Sequence, residues 1–425
     1  MAIKHMFANT SERYQQLVTD DVQKVREENA PGWNLIRRNL EKRKVGEKGL
    51  KIVYNNNTIG GSSTPTAQRP DWNEPVAGED FAGYVYSTRY RMAYFFDHAL
   101  IRDANNKVRS APNILKQKMM EIMLAATKRL ERATYLDGKG SLAYSTSTIS
   151  ALGSATMNCD TTPATTAGHT KGAMWLLKNN WYQAINETTG LPRGTFQVTA
   201  PGTTSCTVLV VDGTISSGDP IVEVNTYNGF IRGFAWLINK SNRVVQGVDT
   251  SLYPQLNSWG IDLAGAPVTF NVIEDMMTGL RIRNNEDRKD SKILFLPPGQ
   301  GSILRKSGQN FRVYNDGENV VRGIAEDIDF GNNIKVVMPA DLDEDRGYAV
   351  VLNEFGMIEE MELDDMTMDG QKMHQLLGVN NAGSETYQGG IGWDGNIYRK
   401  GNASSSSYFY RGSVTGVYGS ASVGY

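Results

Sequence analysis

Residues 83–101 read GYVYSTRYRMAYFFDHALI. Tyr84, Tyr86, Thr88, Tyr90, Met92 and Tyr94 recur on one side of a two-residue period, and Val85, Ser87, Arg89, Arg91, Ala93 and Phe95 take the other. Successive side chains of an extended chain point to opposite faces, so this spacing predicts one long strand with an aromatic face. Immediately before it runs a polar, turn-rich stretch, NNNTIGGSSTPTAQRPDWNEPVAGED, at 55–80. Connections longer than about 12–15 residues without structure are uncommon and usually functional. Upstream, GLKIVYN at 49–55 alternates Leu50, Ile52 and Tyr54 against Lys51, Val53 and Asn55. The expectation is an antiparallel ribbon over 49–101 with a long irregular tip. A lone two-stranded ribbon is marginal in water, so it must dock on something. The reading adopted is that another copy of the protein covers the aromatic face.

The chain has 425 residues, of which 40% are hydrophobic and 21% charged. A single core stops growing near roughly 250–300 residues, so two or more lobes are expected. Residues 10–45 read as an amphipathic helical arm broken at Pro31–Gly32. The clearest helix is 110–137, where Leu115, Met119, Ile122, Ala126, Leu130, Ala133 and Leu136 repeat at three- and four-residue steps before Asp137–Gly138 stops it. Helices are also expected over 171–187 and 268–284. Short strand-like runs with turn signals predict a small β module over 194–250. Further strands are expected at 293–300, 333–339 and 348–353. From 381 the chain is rich in Gly, Ser, Tyr and Asn and reads as a tail.

Little in the sequence points to chemistry. The four histidines, His5, His98, His169 and His374, stand far apart, and none has metal-ligand spacing. Cys159 and Cys206 lack catalytic signatures and read as buried structural residues. No GxxxxGK[ST] loop occurs. PPGQG at 297–301 follows a strand and suits a plain turn better than a phosphate cradle. DLDEDRG at 341–347 suggests calcium, but an EF-hand loop starting there places Arg346 where glycine is needed and Leu352 where glutamate is needed. The expectation is a protein that is no enzyme and needs no cofactor or metal. The N-terminus lacks a basic-then-apolar signal, and no run approaches the roughly 20 apolar residues of a membrane span, so a cytosolic origin without a membrane anchor is expected.

The net charge of −2 is no glove for nucleic acid. It is unevenly spread, however. Acids dominate 341–369 and bases dominate 102–139. Opposite patches meeting between copies would set register and partner choice. The proposed inter-subunit contacts are Tyr84, Tyr86, Tyr90 and Tyr94, with Arg89 and Arg91 on the reverse face and Asp364 and Asp365 in the acidic stretch.

The order of parts resembles the major capsid protein of tailed bacteriophages, with the α+β Hong Kong 97-type fold. It runs from helical arm and long-tipped ribbon through one long helix ending LERATYLDGKG to an α/β lobe and a glycine-rich tail. RGFAWLINKSNRVVQGVDTSLYPQLNS at 232–258 also resembles stretches of such sequences, with a GF…QG.D…YP pattern. The resemblance implies an N-terminal arm at 1–48, an extended loop at 49–101 and a spine helix within 102–140. It further implies an axial domain at 141–330 with a β insertion near 194–250, peripheral-domain strands at 331–380 and a tail at 381–425. It also implies hexamers and pentamers in an icosahedral shell enclosing double-stranded DNA without sequence specificity. A separate scaffolding protein, a portal and decoration proteins are implied partners, with assembly in the host cytoplasm and residence in the virion. An encapsulin-like compartment shell is the alternative. A hydrolase built on the carboxylates of 341–365 lacks a nucleophile or base beside them, and a secreted adhesin lacks a signal peptide.

Overall fold

The computed structural model describes residues 30–45, 49–55, 80–97, 111–160, 172–238, 244–253, 256–284, 292–308, 334–366, 373–377, 383–400 and 406–412. Helix α1 spans Pro31–Asn39, α2 Ala111–Tyr135, α3 Phe270–Asn284 and α4 Pro298–Gly308. Pro31 opens α1 instead of breaking it, because proline's fixed φ suits a first turn whose N–H groups have no intrahelical partner. Of the stripe expected on α2, Met119, Ala126, Leu130 and Ala133 are buried; Ile122 is only partly so, and Met123, which the stripe did not include, is buried beside it.

The described strands form three larger sheets and two two-stranded ones. The central sheet orders Glu41–Arg43, Phe355–Asp365, Gly383–Arg399 and Met373–Leu377, and Thr88–Asp97 also pairs with Gly383–Arg399. Glu41–Arg43 runs parallel to its neighbour, and the remaining pairings are antiparallel. A second, mixed sheet orders Trp259–Asp262, Ser406–Tyr410, Gly347–Val351, Lys292–Phe295 and Ile334–Val337. Its core joins Ile273, Met276 and Leu280 of α3 and Leu304 of α4 to Leu294, Ala349 and Phe409.

The third sheet has six strands, in the order Ala143–Tyr144, Pro220–Glu223, Trp181–Ile185, Pro192–Ala200, Ser205–Gly213 and Gly153–Asn158. Its first and last strands also meet. Ser145 bridges Cys159, the Asp160 N–H donates to the Tyr144 carbonyl at 2.8 Å, and the Thr146 N–H donates to the Asn158 carbonyl at 2.8 Å. The sheet therefore closes into a small antiparallel barrel, which removes its free edges. Phe196, Val198, Val208, Tyr182 and Ile221 fill it as a core of its own.

Several expectations change. The strand over 83–101 is two strands, Asp80–Val85 and Thr88–Asp97, separated by Tyr86 and Ser87. Before the break odd residues face inward (Gly83, Val85), and after it even residues do (Tyr90, Tyr94, Phe96). A one-residue slip of phase moves a whole side-chain set to the other face, so the aromatic face does not run through. The helix expected over 171–187 is turns followed by the strand Trp181–Ile185, where Tyr182 and Ala184 enter the barrel core. The β module is not 194–250: it starts at Ala143 and ends at Glu223. The tail expected from 381 contains the longest strand among the described residues, Gly383–Arg399, and a strand of the second sheet, Ser406–Tyr410. The strands near 333–353 belong to the second sheet rather than the central one.

One side chain joins the layers. Phe234, fully buried in a four-residue helix, has its ring centroid 6.2 Å from Tyr135 of α2, 5.4 Å from Phe295 and 5.8 Å from Tyr348 of the second sheet, and 5.7 Å from Phe355 of the central sheet. Truncation removes packing to all three at once. Phe234→Ala should lose about 3–5 kcal/mol in a denaturant titration; a loss below about 1 kcal/mol would show that the layers do not depend on this seam.

Candidate functional site

The ribbon Leu50–Asn55/Asp80–Val85 is antiparallel, with Leu50 opposite Val85 and Asn55 opposite Asp80. Its inner face is finished within the chain. Ile52, Tyr54 and Val85 pack with Val248, Leu256, Ile358 and Tyr398. The Tyr54 hydroxyl bonds the Gln246 side-chain oxygen and lies 3.2 Å from the Arg399 carbonyl, and the Tyr84 N–H donates to the Gln246 carbonyl at 2.8 Å. Burial raises the Tyr54 hydroxyl to about 12, so it stays a donor. The outer face carries Val53, Tyr84 (46% exposed) and Tyr86 (58% exposed). The tip lies outside the described residues.

The expected contact residues therefore separate. Tyr84 and Tyr86 are outward. Tyr90 and Tyr94 are not: they are 7% and 4% exposed and belong to the chain's own main core. Tyr90 packs edge-on to Phe230 at 5.7 Å, and Tyr94 lies on Phe96 and over Gly389 of the central sheet. Another copy is not needed to cover them. The exposed aromatic of that strand is Phe95, which the alternation assigned to the opposite face. Arg89 is exposed, and Arg91 makes a two-pronged pair with Asp394 of the same chain. Asp364 is exposed on the central sheet, and Asp365 sits beside it in the strand. Much of the charge expected to meet between copies is already paired within one. Arg129 bonds Glu223 at 2.7 Å and Arg132 bonds Asp341 at 2.9 Å.

Two glycine- and acid-rich motifs explain each other. The Gly299 N–H, at the N-terminus of α4, donates to the Glu344 carboxylate at 3.0 Å, and the Gln300 side chain joins the Val268 N–H to the Glu344 carbonyl. A carboxylate from DLDEDRG thus fills the anion position that PPGQG offers, as helix N-termini favour. Asp345 in turn pairs with Arg346 at 3.0 Å. Of the histidines, His5, His98 and His169 lie outside the described residues, and His374 is in the strand Met373–Leu377. Among the described residues no group of three or more His, Cys, Asp or Glu could hold a metal ion, and no helix is long and apolar enough to cross a membrane.

Two buried carboxylates hold α1 to the body. Glu359 receives Lys42 at 2.7 Å, Arg37 at 2.8 Å and the Trp393 indole N–H at 3.3 Å. Burial raises its pKa, but Lys42 and Arg37 more than offset this and hold it below the ordinary value. Glu131 of α2 accepts the N–H of Gly32 at 3.1 Å and of Trp33 at 2.5 Å, at the N-terminus of α1, and the Tyr135 hydroxyl at 3.0 Å. A side chain at position 32 would collide with Tyr135, so the glycine permits the approach. Burial lifts Glu131 to about 7, against the bonds from Trp33, Tyr135 and Gly32, and nearby Asp341 lifts it further. The folded chain therefore keeps a proton that the unfolded chain, at about 4.5, releases. This group's contribution to stability is present below about 4.5 and is lost as pH rises through about 7. The urea midpoint should fall across that window, by up to about 3 kcal/mol in stability, and Glu131→Gln should remove that part of the fall. Equal pH profiles for wild type and variant would contradict the assignment.

No family model matches the chain, and no curated protein matches it. Solved structures do. A capsid asymmetric unit of cyanophage A-1(L) is 9% identical, with 90% of this chain covering 93% of that chain at a TM-score of 0.52. The capsid of a native GTA particle is 7% identical, with coverages of 90% and 91% and a TM-score of 0.45. Mycobacterium phage Patience gives 10% identity, 96% and 91% coverage and a TM-score of 0.44. At such identities the likeness concerns fold, and the cyanophage structure carries it over nearly the whole of both chains. The described architecture of long helix, ribbon, central sheet and second sheet is the α+β Hong Kong 97-type capsid fold.

Proposed function

We propose that the chain is a major capsid protein, assembling as hexamers and pentamers into an icosahedral shell around viral double-stranded DNA. The observation that carries this reading is the whole-chain likeness to the cyanophage capsid structure, 90% of one chain against 93% of the other. The parts take these roles: arm at 1–48, extended loop at 49–101 and spine helix within 102–140. The central sheet serves as the peripheral domain, the second sheet with α3 and α4 as the axial domain, and the barrel as an insertion. Tyr84, Tyr86 and Phe95, with Arg89 and Asp364, are exposed on one copy and are assigned to contacts with neighbours. Weak contacts suffice in a closed shell, because each copy is held by several neighbours at once.

The partners of this reading are further copies, a scaffolding protein, a portal, decoration proteins and DNA contacted without sequence specificity. Assembly takes place in the host cytoplasm. An encapsulin-like compartment makes the same kind of shell around protein cargo, and the contents separate the two. Particles purified from producing cells should protect double-stranded DNA from nuclease; particles containing folded enzyme and no DNA would favour the compartment. Removing residues 57–79 and closing the ribbon with a short turn should leave a folded chain that forms no shells by negative-stain microscopy. Normal shells from that variant would contradict the role given to the ribbon.

A further inference from the structure

Cys206 lies in Ser205–Gly213, opposite Met157, and Cys159 follows the adjoining strand, its N–H donating to the Thr204 carbonyl at 2.9 Å. Both side chains are buried in the barrel core as free cysteines. Cys159 stands two residues beyond Met157 on the same buried face, so the two side chains are diagonal neighbours across paired strands. Their position is specific. Cys159 lies at the seam where the last strand meets the first, bridged to Ser145. The segment between the cysteines contains the strands Trp181–Ile185 and Pro192–Ala200. A bond between them would fix the barrel's last two strands to each other, beside the seam where Cys159 meets the first strand's end.

We infer that Cys159 and Cys206 form a cross-linking site, oxidised by a low-molecular-weight disulfide of the glutathione class to a disulfide that locks the barrel. The Cys206 thiolate attacks one sulfur of the small disulfide and expels one small thiolate. Cys159 then loses its proton and attacks the Cys206 sulfur, expelling the second. In sum, two protein thiols and one small disulfide give one protein disulfide and two small thiols. Cys206 is the better first nucleophile, since the neighbouring Cys159 thiol lowers its pKa while that of Cys159 is raised. Burial makes the first step wait on opening of the seam. The timing, though not the cross-link, rests on the capsid reading: a dithiol during assembly in a reducing cytoplasm, and a disulfide once the particle meets an oxidising exterior.

The test uses the purified full-length chain. It is incubated folded with oxidised glutathione, quenched in acid, unfolded and alkylated, and its thiols are counted by intact mass. Both thiols should disappear together in a monomeric product that retains no glutathione, and the urea midpoint should rise until reductant restores it. Cys159→Ser and Cys206→Ser should each leave one thiol and show no rise. The proposal is overturned if both thiols stay alkylatable after an unfolded control has oxidised fully, or if oxidation yields a stable glutathione adduct or a linked dimer. Because the readout is the isolated chain, its failure leaves the shell reading standing, and a chain that never assembles can still pass it.

Discussion

The strand Gly383–Arg399 is the ladder on which the rest of the structure hangs. It pairs with Phe355–Asp365 and Met373–Leu377 along one side and with Thr88–Asp97 along the other. Buried backbone N–H and C=O groups must be bonded, and this strand satisfies three others as well as itself. Its glycines are part of the device. Tyr94 lies where a side chain on Gly389 would be, Met361 takes that place at Gly392, and across the ladder Tyr398 covers Gly356. Aromatic rings lie flat on glycine backbone and recover the burial that glycine gives up. Trp393 fills the same sheet from the strand itself, edge-on to Trp33 of α1 at 5.2 Å.

That strand was illegible in the sequence for a physical reason. A run rich in Gly, Ser, Tyr and Asn has the composition of a tail, and its strand character comes from partners elsewhere in the chain, some about 300 residues earlier, such as Arg91 opposite Gly392. Local periodicity served better where structure is local. The helix read at 110–137 is Ala111–Tyr135, and that read at 268–284 is Phe270–Asn284. The alternation at 83–96 was real, but the two-residue interruption at Tyr86–Ser87, which reverses the buried face, leaves no mark in hydrophobic spacing. Tyr90 and Tyr94 were misplaced for that reason, while Tyr84 and Tyr86 were placed outward. The barrel's extent was missed at 143–185 because its early strands are short and rich in Ser, Thr and Ala. The pairing of Glu344 with Gly299 shows how two motifs that separately suggested ligands can be each other's ligand.

The projecting parts are anchored before any second copy is considered. Glu131 and Glu359 hold the arm helix, Gln246 and Arg399 hold the ribbon base, and the central sheet takes in both flanking strands. An anchor within the chain fixes the direction in which an outward surface is presented, which lowers the ordering cost of association. Tyr84, Tyr86 and Phe95 are among several large apolar side chains left outward. That suits an assembly in which many modest contacts act together.

Sedimentation velocity of the purified full-length chain over a range of concentrations tests the central claim most directly. The account predicts fast-sedimenting closed particles of many copies, in equilibrium with or derived from small ring-like oligomers. A single monomeric species at every concentration, with scaffolding partner supplied, would contradict it.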